Sequence, residues 1–480
     1  MSNNEQIHGA ADTVPEHDCV PPLKDEIKDT LKLFGPVFLG MIATTATGVV
    51  DTIMAGYAGS VHLAGVAIGA SFFWPAALFV IGLALIVQPT VAHLRGSGDF
   101  DKIPVQVWLA TVVVLTASFI VAVGTSLMPL LFDLLTDADE QMMYIGRWYL
   151  ISTAAGVPGF ALFALMRNYW EGLGVTVPSS VFGFFALFIN IPLNYIFIFG
   201  KFGAPELGGI GCGVATTATV YITVILMYFY VRRAPRFAST RIYGRTYPVS
   251  WHQIKNYLAL SVPLALSTTI EMTCFSLVAL FLASFGAVTV SGHTIAMNVS
   301  GVIYMIPLSL ASAVAIRTGA ALGAGHWQRA RQAARAAIVL GLMLYAGYFS
   351  VLLAFREQIV SLYSNDPEVV NLGITLLMFC LVYLLPENIM TVASGVVRGF
   401  KDTRTIFIIT LAIYWVAGLP LGALLAFGYA WPEELGAQGF WIGFISALTC
   451  GCVLYVSRII YLFSRKKLPH TFHMTDPVMK

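Results

Sequence analysis

The chain is 480 residues long, 58% hydrophobic and only 11% charged, with a mean hydropathy of +0.78. Soluble domains carry about 25% charged residues, so this composition cannot supply a water-facing surface, whereas lipid requires none. A net charge of +2 leaves no nucleic-acid signature, no G-x-x-x-x-G-K-[ST] sequence points to ATP drive, and six cysteines without a C-x-x-C pair suggest neither disulfides nor a thiolate metal site.

In chain order, residues 1–22 are polar, acidic and Pro-containing, without the basic and apolar regions of a signal peptide. They read as a disordered cytoplasmic tail. Apolar stretches of about 20 residues, enough to span a bilayer, begin near Leu31, Ala64, Val105, Tyr144, Ser179 and Gly211. A second set begins near Leu258, Gly292, Ala336, Val370, Ile406 and Ala437. The longest polar stretch, Arg232 to Lys255, separates the two sets. The expected organisation is an N-terminal six-helix lobe (23–231), a basic cytoplasmic linker (232–257), a C-terminal six-helix lobe (258–466) and a second cytoplasmic tail (467–480). The fold class is all-α integral membrane, with twelve transmembrane helices.

The loops alternate in charge. One set holds Arg95 and Lys102, then Arg167, then Arg232, Arg233, Arg236, Arg241, Arg245 and Lys255. It continues with Arg317, Arg329, Arg331 and Arg335, then Arg398, Lys401 and Arg404. The other set is acidic or neutral: Asp133, Asp137, Asp139 and Glu140; Glu206; Asp366 and Glu368; Glu433 and Glu434. The positive-inside rule places the basic set, and with it both termini, in the cytoplasm.

The halves align at an offset of about 227 residues. Pro36 then meets Pro263, Gly59 meets Gly286, and Gly96 and Gly98 meet Gly323 and Gly325. With one further residue of shift, LLTDADE meets LYSNDPE and Pro192 meets Pro420. Both halves begin on the same side, so the repeat is parallel, an arrangement found in secondary transporters with a midplane site between halves. A channel or a membrane enzyme can also be duplicated.

Three carboxylates lie in apolar runs: Asp51 in TGVVDTIMAG, Glu271 in STTIEMTCF and Glu387 in YLLPENIM. An acid at a helix centre costs about 2.5–3.5 kcal/mol on insertion scales, so such residues face a cavity and bind an ion, a proton or a partner, or else tie helices together. The repeat does not duplicate them. Asp51 aligns with Val278, and Glu271 with Thr44. Tyr383, four residues before Glu387, shares its helix face, and Pro386 can free a carbonyl one turn back. Carboxylate, phenol and carbonyl suit a small hard cation; a proton could occupy the same carboxylate. Asn190 and Asn194 flank Pro192 on one face and can join Asp51 in a polar cluster, or simply bridge helices. Arg and Lys are nearly absent from the spans, and the 32 Phe, 20 Tyr and 9 Trp offer cation–π faces as well as ordinary lipid-facing surface. His293 in SGHTIAMN reads first as a structural residue.

On the segments VDTIMAGYAG (50–59), INIPLNYIFIFGKFGAPELGGIGCGVAT (189–216), SGHTIAMNVSG (291–301), PLSLASAVAIRTGAALG (307–323), VASGVVRGFKDT (392–403) and YWVAGLPLG (414–422), the chain resembles the multidrug and toxic compound extrusion (MATE) transporters, in their NorM-type bacterial branch. The resemblance covers about Leu31 to Leu462. It implies two pseudo-symmetric six-helix bundles around a central V-shaped cavity, and export of organic, mostly cationic compounds against inward Na⁺ or H⁺. By motif, Asp51 matches the first-helix acid, Asn190 and Asn194 the N-x-P-x-N-Y asparagines, Glu271 the seventh-helix acid, and Glu387 with Tyr383 the tenth-helix cation site. A Glu stands at 387 where that pattern carries Asp, and its extra methylene extends the carboxylate.

The expectation is therefore a secondary active multidrug antiporter of the bacterial inner membrane, not an enzyme. Na⁺ or H⁺ would bind at Glu271, Tyr383 and Glu387, and a proton or substrate at Asp51, Asn190 and Asn194. It needs no cofactor, and its partners are amphipathic drugs and membrane lipid; it is expected to act as a monomer. A lipid-linked-precursor flippase of the same superfamily is the nearest alternative, but its cavity should be basic to hold phosphates. A channel would conduct without counter-flow.

Overall fold

The computed structural model describes residues 20–131, 139–242, 246–429 and 434–466. Cys19, Asp133, Asp137, Arg245, Glu433, residues 1–19 of the first tail and the whole second tail lie outside them.

The first bundle comprises α1 (Leu23–Ala58), α2 (Ser60–Ala84) running on into α3 (Val87–Ser97), α4 (Lys102–Leu127), α5 (Glu140–Ala154), α6 (Val157–Gly172), α7 (Val177–Phe199) and α8 (Gly209–Arg233). The second comprises α9 (Trp251–Leu282), α10 (Ala287–Gly323), α11 (Trp327–Ser361), α12 (Pro367–Gly399), α13 (Thr403–Leu411), α14 (Leu419–Ala426) and α15 (Ala437–Arg465). A π-helical stretch, Ala412–Gly418, joins α13 to α14. Among the described residues eleven spans are long and apolar enough to cross a membrane, and α5 with α6, bent by 43°, makes a twelfth if the bent pair is one span. Lipid offers the backbone no hydrogen bonds, so the chain must satisfy its own, and helices do so. Each predicted start falls inside or at the start of a helix. Most helices begin several residues earlier, because hydropathy marks the bilayer slab while helical hydrogen bonding continues into the polar ends.

Some of those polar ends carry side-chain caps. Asp139 accepts from the backbone N–H groups of Gln141 and Met142 at 2.9 and 3.2 Å, and Asp366 from Glu368 at 2.9 Å, so two of the acidic loops feed helix N-termini. Ser250 and Gln253 form a reciprocal capping box that starts α9. Consequently Lys255 belongs to α9, Arg232 and Arg233 to α8, and the segment joining the bundles is 234–250 rather than 232–257. Arg167, Arg317 and Arg398, expected in loops, also stand inside helices, Arg398 in the last turn of α12. Arg398 and Lys401 are buried.

The repeat extends to backbone geometry. Gly208 before α8 has φ 56°, ψ −133°; Gly436 before α15 has φ 51°, ψ −128°. This left-handed-side conformation is open to Gly and costly for a residue with a Cβ, and it occurs at the same position of both halves.

Each bundle has its own apolar core. Phe34 of α1 crosses to pack in the core of the second. The bundles meet most tightly where α3 crosses α10. A Cβ on Gly96 would overlap the carbonyl of Ala320, and a Cβ on Gly323 would overlap that of His93. At the repeat offset Gly96 corresponds to Gly323 and His93 to Ala320, so the two contacts are mirror statements of one contact. At the same basic-loop end the buried Glu26 of α1 pairs with Arg317, which also lies 3.7 Å from Asp29. Further along, Tyr257 donates to the Leu83 carbonyl at 2.7 Å, Ser309 to Met41 Sδ at 3.1 Å, and Thr45 approaches Met305 at 3.8 Å. These contacts run from the basic-loop end to mid-depth. Past them Val49, Ile53, Met272 and Val302 are exposed on helices of both bundles. The bundles part toward the acidic-loop end as a V.

Candidate functional site

The intramembrane acids sit past this contact zone, one set per bundle. In the first, α1 carries Asp51 about two turns before its end. One oxygen of Asp51 accepts from Asn194 Nδ2 at 2.6 Å, and the other from Thr216 Oγ1 of α8 at 2.8 Å. Asn194 Nδ2 also donates to Asn190 Oδ1 at 2.8 Å, one turn earlier on α7. Cys212 Sγ lies 3.9 Å from the Asp51 carbonyl. The i, i+4 spacing across Pro192 puts both asparagines on one face, and α7 packs closely along α1, where Gly40 and Gly183 meet backbone to backbone. Spacing along α7 aligns Asn190 with Asn194, and the packing of α7 on α1 brings Asp51 to them. Asn190 and Asn194 are fully buried, while Asp51 is half-buried. Among the described residues Asn194 Oδ1 has no hydrogen-bond partner.

In the second bundle Tyr383 Oη donates to Glu387 Oε1 at 2.8 Å within α12. Glu387 Oε2 is buried and has no hydrogen-bond partner among the described residues. Glu271 of α9 accepts from Tyr414 Oη at 3.0 Å. The two carboxylates lie within electrostatic range of each other, and Tyr304 of α10 within range of both. Neither forms an ion pair among the described residues, and no Lys or Arg lies against them. Two carboxylates and three phenols, carried on α9, α10, α12 and the π-helical stretch, thus lie within electrostatic range of one another. Among the described residues no three His, Cys, Asp or Glu side chains gather. The set lacks the ligand number of a zinc or calcium site, and its hard oxygens fit a singly charged cation or a proton.

Tyr414, Tyr304 and Thr216 are site residues that spacing did not single out. Tyr414 lies in the π-helical stretch before Pro420. A π turn re-aims side chains relative to an α turn, so its direction is not legible from i, i+4 counting. Gly418–Leu–Pro420 was the available signal.

His293 is 3% exposed and stacks edge-on against Trp441 at 5.9 Å, and Trp441 packs likewise on Tyr383 at 5.5 Å. It buttresses the Tyr383 ring without reaching either carboxylate. At the bundle interface a further acid, Glu171 of α6, is 1% exposed. It accepts from Arg167 at 2.8 Å, Ser179 at 2.7 Å, Gln88 at 2.7 Å and, across the interface, Ser312 at 3.3 Å. Arg398 interacts electrostatically with Glu171 and Tyr304. It is a buried cation, set toward the basic-loop end from the acids.

With this geometry in hand, the comparisons with known proteins are decisive. The model of the MatE family matches the chain twice, over residues 36–196 and 263–424. The chain belongs to the MatE family. This membership makes it a membrane transporter and not an enzyme. It is 40% identical over 451 residues to "Multidrug resistance protein MdtK" of Yersinia pseudotuberculosis serotype O:1b, covering 93% of this chain and 97% of that protein. The same-named protein of Edwardsiella ictaluri is 39% identical over 453 residues, covering 92% and 97%. Among solved structures, the eukaryotic MATE transporter AtDTX14 superposes with a TM-score of 0.82 at 20% identity, covering 94% of this chain and 98% of that one. A multidrug resistance MATE transporter of the MOP superfamily in an outward-facing conformation superposes at 0.81 and 19%, covering 92% and 97%. These superpositions establish the MatE fold, two six-helix bundles around a V.

Proposed function

We propose that this multidrug efflux transporter of the MATE family works in the bacterial inner membrane as a monomeric antiporter, exporting organic, mostly cationic compounds in exchange for Na⁺ or H⁺. The observation that carries the coupling is the placement of Glu271 and Glu387. Both are held by tyrosines in one bundle, and among the described residues neither has a basic partner and one Glu387 oxygen is unpartnered. An acid left in this state is a binding group, because its charge has nothing else to pair with. The alternation of loop charge supports cytoplasmic termini, so the V opens outward.

In this reading the outward-open transporter takes up the coupling ion at Glu271, Tyr383, Tyr414 and Glu387. Asp51, Asn190 and Asn194 bind substrate or a proton in the other bundle. Ion binding lowers the affinity for bound cationic drug, which leaves outward. The bundles then rock about the α3–α10 crossing, the ion is released inward, and drug is taken up. Exchange requires that each ligand prefer a different state, so that binding one disfavours the other. The acids argue against a phosphate-carrying flippase, since among the described residues no Lys or Arg pairs with them.

The test is ethidium transport by the purified protein in liposomes, with Na⁺ and pH gradients imposed separately. The expected result is uphill ethidium movement driven by one gradient, with counter-flow of that ion. Movement indifferent to both gradients, or ion flux without ethidium exchange, would overturn the antiport assignment.

A further inference from the structure

Outside the V, a groove of about 430 Å³ opens on the flank of the first bundle between α4, α6 and α8. Its wall includes Leu115, Leu162, Met166, Ile225, Tyr228 and Phe229. The volume falls within the ~300–1,000 Å³ of small-molecule pockets, yet the lining is almost wholly apolar, as a hydrocarbon chain would need. The mouth is different. Arg232 Nη1 donates to the Tyr228 hydroxyl at 3.1 Å, and the Arg233 guanidinium lies 5.4 Å from the Phe229 ring centroid. Two exposed cations are thus anchored on two rings of the groove, at the end where α8 leaves the membrane. Neither forms an ion pair among the described residues. The sixth span of the other bundle makes the contrast. There Arg458 also lies over a ring, Tyr461, but its charge is taken by Asp402 at 2.7 Å.

We propose that this groove binds an anionic phospholipid of the basic-loop leaflet, with an acyl chain along α4, α6 and α8 and the headgroup phosphate on Arg232 and Arg233. Basic residues at the membrane surface attract anionic headgroups, and paired arginines match phosphate geometry. Apolar wall and unpaired charge together select a lipid over a free anion or a neutral lipid. The site stands independently of the ion-coupling assignment.

The experiment uses the full chain, delipidated in detergent and mixed with dioleoyl phosphatidylglycerol or dioleoyl phosphatidylcholine; retained lipid is counted by native mass spectrometry. Phosphatidylglycerol should be retained over phosphatidylcholine by on the order of tenfold. R232Q/R233Q should erase that preference. Ile225→Trp, which fills the groove from an exposed position, should lower retention of phosphatidylglycerol. R356Q, at the opposite end of the membrane, should change neither. Equal retention of the two lipids, an unchanged preference in R232Q/R233Q, or full competition by glycerophosphoglycerol without chains would overturn the proposal.

Discussion

Asp51, Asn190, Asn194 and Thr216 of the first bundle correspond, at the repeat offset, to Val278, Gly418, Gly422 and Phe444 of the second. Where one half builds a hydrogen-bonded acid, the other packs Phe440 onto Gly422, with Val278, Phe440 and Phe444 in one buried cluster. The reverse exchange holds for the other site. Glu271, Tyr383, Glu387 and Tyr414 correspond to Thr44, Ala155, Gly159 and Ala186. Ala155 lies at the break between α5 and α6, where the span bends by 43°, whereas α12 runs unbroken past Tyr383 and Glu387. One backbone plan thus offers two equivalent places for buried charge, and each bundle uses a different one. A buried acid must be supplied with donors from neighbouring helices. Donors placed for one locus leave the other free to pack, so the two bundles can bind chemically different ligands while still closing on one another symmetrically.

Four outcomes would sharpen or break this contrast, beginning with the largest. Glu387→Gln and Glu271→Gln should each reduce gradient-driven ethidium export by about tenfold or more, the scale of a coupling free energy between two ligands. Asp51→Asn should weaken export while leaving the half-saturating concentration of the coupling ion in place. If Asp51→Asn moved that concentration as far as the glutamate variants do, the two sites would be one. Next, exchanging the loci should be asymmetric in stability. Val278→Asp places an unpaired charge in a packed cluster and should cost about 3 kcal/mol or more. Asp51→Val strands only the donors Asn194 and Thr216 and should cost about 1–3 kcal/mol; melting curves of the two variants in detergent give the order.

At the bundle interface, symmetry itself is the prediction. Gly96→Val and Gly323→Val should disfavour closure of the basic-loop end equally, read by cysteine cross-linking across it, because they intrude on one reciprocal contact. Arg317→Gln should loosen that end by releasing the buried Glu26, whereas Thr90→Val, at the repeat-equivalent position, should not. The smallest effect is expected from Tyr414→Phe. Losing one hydrogen bond to Glu271 is worth about 0.5–1.5 kcal/mol, so ion half-saturation should shift by roughly two- to tenfold, with drug affinity unchanged.

Much of this protein was legible without coordinates. Apolar run length sets the number of spans, because a bilayer has one thickness and an unpaired backbone cannot cross it. Prolines and glycines recurring at an offset of 227 and then 228 residues mark the repeat, and the shared backbone conformation of Gly208 and Gly436 extends it in the structure. Asp51, Glu271 and Glu387 stand out because acids in apolar runs are expensive, and i, i+4 spacing suffices to pair Tyr383 with Glu387 and Asn190 with Asn194. What only the tertiary structure decided is everything that depends on neighbours from other helices. Tyr414 reaches Glu271 through a π-helical turn, Thr216 meets Asp51 from α8, and Arg398 leaves its expected loop for the bundle interface. Periodicity along one helix says which residues share a face; which face meets which is settled by packing, and packing is where the two bundles part company.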